Sequence, residues 1–188
     1  MQTLTAKEQQ LSNIFSDEYV FIIPGYQRPY AWGTEQAQEL LDDLLGALAS
    51  APEQLTEATP YFLGSIVLIK EDGKPHAEVI DGQQRLTTLT LFLLQLYRMA
   101  KTFESKTVGW LERKIAGYAG TEYEFWMNHV RHIQVLKALM EGAEPADVDT
   151  SSGVTAVNMV QNFSVIAGEL KKRIATKHQF ENFVYYFL

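Results

Sequence analysis

The chain of 188 residues contains no cysteine, which excludes disulfide bonds and thiolate metal sites. This agrees with the reducing cytoplasm, the location that we expect for the protein. No uninterrupted apolar run reaches the roughly eighteen residues that a membrane span needs, and the N-terminus lacks the apolar core of a signal peptide. The sequence therefore predicts no contact with a membrane.

Positive charge is also scarce, since 16 lysines and arginines stand against 23 aspartates and glutamates and the formal net charge is −7. A domain that holds duplex DNA by its phosphates is usually basic, because phosphate neutralisation supplies most of that affinity. We therefore do not expect this chain to be a main DNA-gripping surface. A hydrophobic content of 46% indicates a folded, globular protein.

Hydrophobic periodicity predicts a helix-rich α+β fold, with a small α+β part at residues 1–103 followed by a helical part at 104–188. In the first part we expect helices at 4–15, 34–49 and 82–102, strands at 19–23, 62–70 and 77–80, a hairpin turn at 71–74 and a loop at 50–60. In the second part we expect helices at 107–118, 122–141, 154–175 and 178–188, with a polar loop at 142–153.

The last nine residues, 180–188, are mostly apolar and aromatic and end without a polar tail. A segment of this composition is typical of the interior of a fold. It predicts that the chain is a piece of a larger protein, truncated at its C-terminus.

The most informative segment is Val79 to Leu89, which reads VIDGQQRLTTL. Its polar residues stand where a short apolar run becomes a long apolar helix, so the first backbone N–H groups of that helix lack intrahelical partners. An arginine and two amides beside such donors are typical of a phosphate cradle. The alternative is a simple helix cap, with Asp81 as N-cap and Gln84 closing a capping box. Local chemistry leaves both interpretations open.

A second polar segment holds Gln27 and Arg28 between two prolines. Together with Arg85 they offer many hydrogen-bond donors, which suits a nucleoside triphosphate. Asp81 is the candidate ligand for its Mg²⁺, because Mg²⁺ takes one or two carboxylates in addition to phosphate oxygens.

Three aromatic residues of the same segment, Tyr26, Tyr30 and Trp32, are candidates for stacking on a base. Aromatic residues beside prolines are more often part of a core, and that alternative stays open. Gly64 and Ser65 lie inside a predicted strand, where a glycine marks either a bulge or the close approach of a ligand.

Four motifs in order resemble the N-terminal domain family of GmrSD-type, modification-dependent restriction endonucleases, whose members carry a DGQQR motif. The motifs are IPGYQRPYAW at 23–32, LDDL at 41–44, YFLGSI at 61–66 and IDGQQRLTTL at 80–89. The resemblance covers about residues 10–100, and beyond them only the helical pattern and Asn162-Phe163 are similar. The family is similar in turn to the ParB/sulfiredoxin superfold, in which a Gly-x-x-Arg turn opening a helix binds nucleotide phosphates.

The resemblance implies a nucleotide-binding and NTP-hydrolysing regulatory domain of an anti-phage restriction protein. It implies that backbone N–H groups at Gly82 to Gln84 hold phosphate oxygens while Arg28 and Arg85 neutralise charge. Asp81 would hold Mg²⁺ or orient water, and Gln83 or Gln84 would position the attacking water. The expected catalytic residues are thus Asp81, Gln83, Gln84 and Arg85, and the expected nucleotide-binding residues are Gln27, Arg28, Gly64, Ser65, Gly82, Thr87 and Thr88.

The expected cofactors are Mg²⁺ and an NTP, with GTP, ATP, CTP and UTP left open. The expected partners are modified DNA, reached through the full-length protein, and a separate C-terminal His-Asn-His-type nuclease domain whose motif this chain lacks. Homodimerisation is left open. Two other functions compete with the NTPase: a module that senses modified bases without hydrolysis, and a structural adaptor without catalysis.

Overall fold

The computed structural model describes residues 5–49, 60–128 and 132–188. Within these ranges the chain folds as the helix-rich α+β protein that the sequence predicts. The helices are α1 (Leu11–Ile14), α2 (Thr34–Ala49), α3 (Gln83–Thr102), α4 (Val108–Ile115), α5 (Ile133–Glu141), α6 (Val154–Arg173) and α7 (Lys177–Phe187). The strands are β1 (Val20–Ile22), β2 (Val67–Lys70), β3 (His76–Asp81), β4 (Ala116–Ala119), β5 (Glu122–Phe125) and β6 (Met127–Asn128).

Helix α3 forms the centre of the core. Its leucines and Phe92 are fully buried, and it packs against α4, α5 and α6. A helix that is apolar around its whole circumference has no face that prefers water, which explains this central position. The predictions of α2 and α3 are confirmed.

A four-stranded mixed sheet lies beside α3, with the strand order β2-β3-β1-β6. Strands β2 and β3 form an antiparallel hairpin that turns at Asp72-Gly73, as the Asp-Gly signal predicts. Strand β1 is parallel to both β3 and β6. Because β3 runs directly into α3, the sheet fixes where the helix begins.

Two predicted elements of the first part are shorter than expected. The helix predicted at 4–15 is the single turn α1, since residues 5–10 are exposed and no apolar residue among them is buried. The strand predicted at 62–70 begins only at Val67, because Gly64 has a φ of +94° and interrupts the extended backbone. The loop predicted at 50–60 lies outside the described residues except for Pro60.

The helix predicted at 122–141 is wrong. Its first part is strand β5, which pairs with β4 as an antiparallel hairpin, and strand β6 follows directly. Residues 129–131 lie outside the described part, and only α5 is helical. The hairpin also ends the helix predicted at 107–118 at Ile115. Cross-strand pairing of aromatic and small residues has stabilised a hairpin here, although the spacing of the apolar residues favoured a helix.

The second part of the chain contributes to the sheet as well as to the helical layer. Strand β6 pairs with β1, and α6 packs against α2 and α3. The division at residue 103 stays a prediction.

The last two helices confirm the predicted pattern at 154–188. The buried aromatic residues of α7, Phe180, Phe183 and Phe187, pack against Phe92 and Phe103. The aromatic composition of this segment therefore has partners within the chain. No helix in the described ranges has the length and apolar character that would let it span a membrane.

Candidate functional site

Gly82 alone connects strand β3 to helix α3. It has a φ of +95°, a left-handed backbone that side-chain-bearing residues rarely adopt, and a Cβ there would lie 3.1 Å from Cγ1 of Ile66. Gly82 is the N-cap of α3, and no side chain caps the helix. The predicted capping box is therefore wrong: Asp81 ends the strand, and the Gln84 side chain points elsewhere.

Three backbone donors open the helix. The first N–H that bonds within the helix belongs to Leu86, which donates to the Gly82 carbonyl at 2.9 Å. The N–H groups of Gln83, Gln84 and Arg85 have no acceptor among the residues that the structure describes. These groups also carry the partial positive charge of a 20-residue helix.

The Arg85 side chain lies across Gly64. Its guanidinium donates to the Ser65 carbonyl oxygen at 3.1 Å, and a Cβ on Gly64 would come within 2.8 Å of its Cζ. A side chain of the DGQQR motif thus lies against Gly64, while the predicted close approach of a ligand stays a prediction. Glycine at this position leaves the space that the guanidinium occupies.

A cavity of about 260 Å³ opens beside this pair, between α2 and the segment that precedes β2. Its charged groups are the Arg85 guanidinium and the carboxylates of Glu39 and Asp43, which are one turn apart on α2. Its aromatic walls are Trp32, Tyr61 and Phe62. The cavity therefore combines one cation, two anions and flat apolar surfaces.

Tyr61 and Asp43 meet at the wall of this cavity. The Tyr61 hydroxyl donates to Oδ2 of Asp43 at 2.7 Å, and this hydrogen bond to a carboxylate is the main reason why the pKa of Tyr61 is raised. The motifs LDDL and YFLGSI each supply a wall residue. The sequence offered no signal for Glu39, because its role depends on which helix face meets the cavity.

The two glutamines of the motif hold a loop, which we call the 28–32 loop. Oε1 of Gln84 accepts from the backbone N–H groups of Ala31 at 2.8 Å and Trp32 at 3.1 Å, and its Nε2 donates to the Pro29 carbonyl. Nε2 of Gln83 donates to the Arg28 carbonyl at 2.6 Å. Both side chains are buried. Their amides bind the loop to the start of α3.

The residues just before this loop are fastened to β3. Nε2 of Gln27 donates to the Ile80 carbonyl at 2.8 Å, and the hydroxyl of the exposed Tyr26 donates to Oε1 of Glu78 at 2.9 Å. The Gln27 amide is thus used in a protein contact. Tyr26 does not line the cavity.

Three further predicted residues are buried in the core. Tyr30 is 2% exposed and bonds to Thr88, while Thr87 and Thr88 are 1% and 0% exposed and donate to carbonyl oxygens one turn earlier in α3. None of the three lines the cavity, and the expectation that Tyr30 stacks on a base and that these threonines bind nucleotide stays a prediction. Of the three aromatic candidates, Trp32 lines the cavity.

Two charged residues of the predicted set are exposed near the start of α3. Neither the Asp81 carboxylate nor the Arg28 guanidinium has a hydrogen-bond or ion-pair partner in the described part of the chain. A lone carboxylate suits a Mg²⁺ ion that takes its other ligands from phosphate and water. No cluster of three or more His, Cys, Asp or Glu that would suit a metal held by protein alone is found among the described residues.

The fold and the site define a class of protein: a helix-rich α+β domain in which a strand passes through an Asp-Gly-Gln-Gln-Arg junction into the central helix. The family described as GmrSD restriction endonuclease, N-terminal domain, has a model that matches residues 11–185, and the chain belongs to this family. The match includes β4 to β6, α5, α6 and most of α7, beyond the reach of the four motifs. The comparison with curated proteins gives no match.

Proposed function

We propose that this chain is the nucleotide-binding domain of a restriction endonuclease, and that it hydrolyses an NTP with Mg²⁺ as part of the full-length protein. The observation that carries the proposal is the position of Arg85. Its guanidinium is held at the edge of a cavity, on the same helix turn as three backbone N–H groups without partners. Together these donors suit the oxygens of a phosphate group.

Each group at the site has a proposed role. The N–H groups of Gln83 to Arg85 hold phosphate oxygens, and the guanidinium groups of Arg85 and Arg28 neutralise the charge that builds up in the transition state. Asp81 would hold Mg²⁺, which supplies further charge neutralisation when bound. Trp32 offers a flat apolar surface to the base.

The structure supports a different role for Gln83 and Gln84 from the one that the resemblance implies. Their amides already bond to the backbone of the 28–32 loop. We therefore assign to them the positioning of Arg28 and Trp32, and not of an attacking water. The glutamines then act on the nucleotide through the loop.

The charge of the cavity favours a metal-bound nucleotide over a free one. Two carboxylates against one guanidinium leave the cavity walls negative at neutral pH. The negative charges of Glu39 and Asp43 would repel a triphosphate that enters the cavity without a cation. Nucleotide binding should therefore weaken when Mg²⁺ is removed by EDTA.

Regulation of DNA cleavage is the biological role that we propose. NTP hydrolysis would switch the full-length protein between a resting state and a state in which its nuclease domain cuts modified DNA. The net charge of −7 argues that DNA is gripped elsewhere in that protein. This role is inferred from family membership. The fold alone does not support it, because one fold can serve many functions.

Thermal unfolding with each NTP and Mg²⁺ tests the proposal. Ligand at about a hundred times Kd stabilises the fold by roughly 2.7 kcal/mol, which raises Tm by about 5–10 °C in a protein of this size. We expect such a shift for wild type and for Arg113→Ala, a control that removes an exposed arginine on α4. Arg85→Ala should lose it. A cooperatively folded wild type that shows no shift with any NTP would contradict the proposal.

A further inference from the structure

The 28–32 loop is also held from its other side, by helix α6. Nδ2 of the fully buried Asn162 donates to the Trp32 carbonyl at 2.8 Å and to the Tyr30 hydroxyl at 2.6 Å. Nδ2 of Asn158 donates to the Tyr30 carbonyl at 3.0 Å. Because a carbonyl only accepts, the Asn162 atom that faces Trp32 must be the nitrogen. The loop is thus clamped between α3 and α6.

The hydrogen bonds around Tyr30 have a fixed direction. Thr88 gives its one hydroxyl proton to the Gln84 carbonyl at 2.9 Å. The 2.8 Å bond between Tyr30 and Thr88 must then be donated by Tyr30, which in turn accepts from Asn162. Donors therefore run from Asn162 through Tyr30 and Thr88 to Gln84. We call this series the 162–84 relay.

The relay has two properties that suit a positioning device. Bonds that point the same way polarise one another, so breaking one weakens the rest. Burial raises the pKa of Tyr30, so its hydroxyl keeps its proton over the physiological range. The relay ends on a carbonyl of the DGQQR motif, one residue before Arg85.

Asn162 also carries a cost to stability. Its Oδ1 is buried and has no hydrogen-bond partner among the described residues. An unsatisfied buried oxygen destabilises a fold. The Nδ2 atom of the same side chain offsets this cost through its bonds to the Trp32 carbonyl and the Tyr30 hydroxyl, so the contribution of Asn162 lies in the loop that it holds.

We propose that Asn162 is a positioning residue of the nucleotide site, which sets the 28–32 loop and the first turn of α3 from helix α6. It acts through Trp32 and through the 162–84 relay. Nucleotide affinity then depends on where α6 lies, and α6 is the element through which the rest of the protein would sense the nucleotide. This inference rests on the proposed function.

Calorimetric titration with Mg²⁺-NTP tests the inference in four variants: Asn162→Leu, Tyr30→Phe, the double variant and Ser164→Ala. Ser164 lies on α6, and among the described residues its hydroxyl bonds only to the Val160 carbonyl of the same helix, so it is the control. We expect Kd to rise about tenfold in each relay variant and to stay unchanged in the control. The double variant should bind no more weakly than Asn162→Leu, because the relay is already broken. A folded Asn162→Leu with wild-type Kd, or two effects that simply multiply, would overturn the inference.

Hydrogen exchange tests the same relay without a nucleotide. The amides of Ala31 and Trp32 should exchange at least about tenfold faster in Asn162→Leu than in wild type or Ser164→Ala. Unchanged protection in a folded variant overturns the inference, whereas a wild type that binds no NTP overturns only the proposed function. Tyr30→Phe, which removes one hydroxyl, serves in both tests where Asn162→Leu does not fold.

Discussion

The guanidinium of Arg85 occupies the space into which a side chain on Gly64 would project, with Cζ only 2.8 Å from the position of a Cβ. Gly64 also has a φ of +94°. Two independent requirements, for space and for a left-handed backbone, therefore demand glycine here. The pair joins the segment before β2 to the start of α3, at the edge of the cavity.

Gly64→Ala should displace Arg85 and weaken nucleotide binding. The added methyl group collides with the guanidinium, and alanine is strained at this φ by about 1–2 kcal/mol. Equilibrium unfolding in urea and the Tm shift with Mg²⁺-NTP measure the two effects. The control is Gly25→Ala, where a Cβ meets nothing within 4 Å. A variant that keeps the full nucleotide shift would show that the position of Arg85 is unimportant.

Gln84→Leu should destabilise the protein by about 2–4 kcal/mol. Leucine fills a similar volume but leaves the Ala31 and Trp32 N–H groups and the Pro29 carbonyl without their partner. Urea denaturation gives the free energy of unfolding. Gln36→Leu is the comparison, because Gln36 is exposed and accepts one bond, from the Gly33 N–H. Equal effects of the two substitutions would contradict the structural role of Gln84.

Two glycine-to-alanine substitutions should change the stability of the fold in opposite directions. A Cβ on Gly117 would lie 2.6 Å from Cη2 of Trp126, whose indole N–H is fixed by a bond to the Arg113 carbonyl, so Gly117→Ala should cost about 1–3 kcal/mol. Gly168 lies inside α6 with no atom near its Cβ position. Gly168→Ala should stabilise by about 0.4–1 kcal/mol, because it restricts the unfolded chain. The two values of Tm, measured by calorimetry, should fall on either side of wild type.

Tyr123 should make stability fall in alkaline solution. Its pKa is raised in the folded protein by its hydrogen bond with Tyr118, then by burial and by Glu112. A raised pKa means that the contribution of Tyr123 is full below the ordinary value of 10.0 and is lost as pH rises above it.

Tyr123→Phe measures this effect. The difference in unfolding free energy between wild type and the variant should be constant from about pH 8 to 9 and shrink above about pH 10. Tyr185→Phe, which also removes a tyrosine hydroxyl but an exposed one, is the comparison variant. If the difference in unfolding free energy does not depend on pH, the titration of Tyr123 is not the cause of the loss of stability in alkaline solution.

Local patterns predicted the elements whose stability is local or strongly periodic. Thr34 and the leucine stripe located α2, and the change from strand to apolar helix located the junction at Gly82. The hairpin of β4 and β5 was not predicted, because Phe125, Ile133 and Leu136 also have the spacing of a helix. What decides between the two is the pairing of Tyr118 with Tyr123 across the turn at Gly120, whose φ is +67°, and the contact of Gly117 with Trp126.

In the candidate site, too, locally unusual residues could be predicted from the sequence, and residues whose role depends on tertiary packing could not. Arg85 and Gly64 stood out because an arginine at a helix start and a glycine within a strand are locally unusual. Thr88 and Tyr30 were assigned to the ligand because the sequence gives no depth of burial. The role of Asn162 depends on the packing of α6 beside the 28–32 loop. Asn162 and Trp32 are 130 residues apart in the chain, so no local pattern relates them.

Strand β6 has a consequence for how the protein can be made. Strand β1 lies between β3 and β6, so its second edge stays bare until residues 127–128 have been synthesised. A chain stopped at residue 103 would carry the whole DGQQR motif and still expose that edge, which is a template for pairing with other chains. During translation, this edge of β1 therefore gains its partner only after residues 127–128 have left the ribosome.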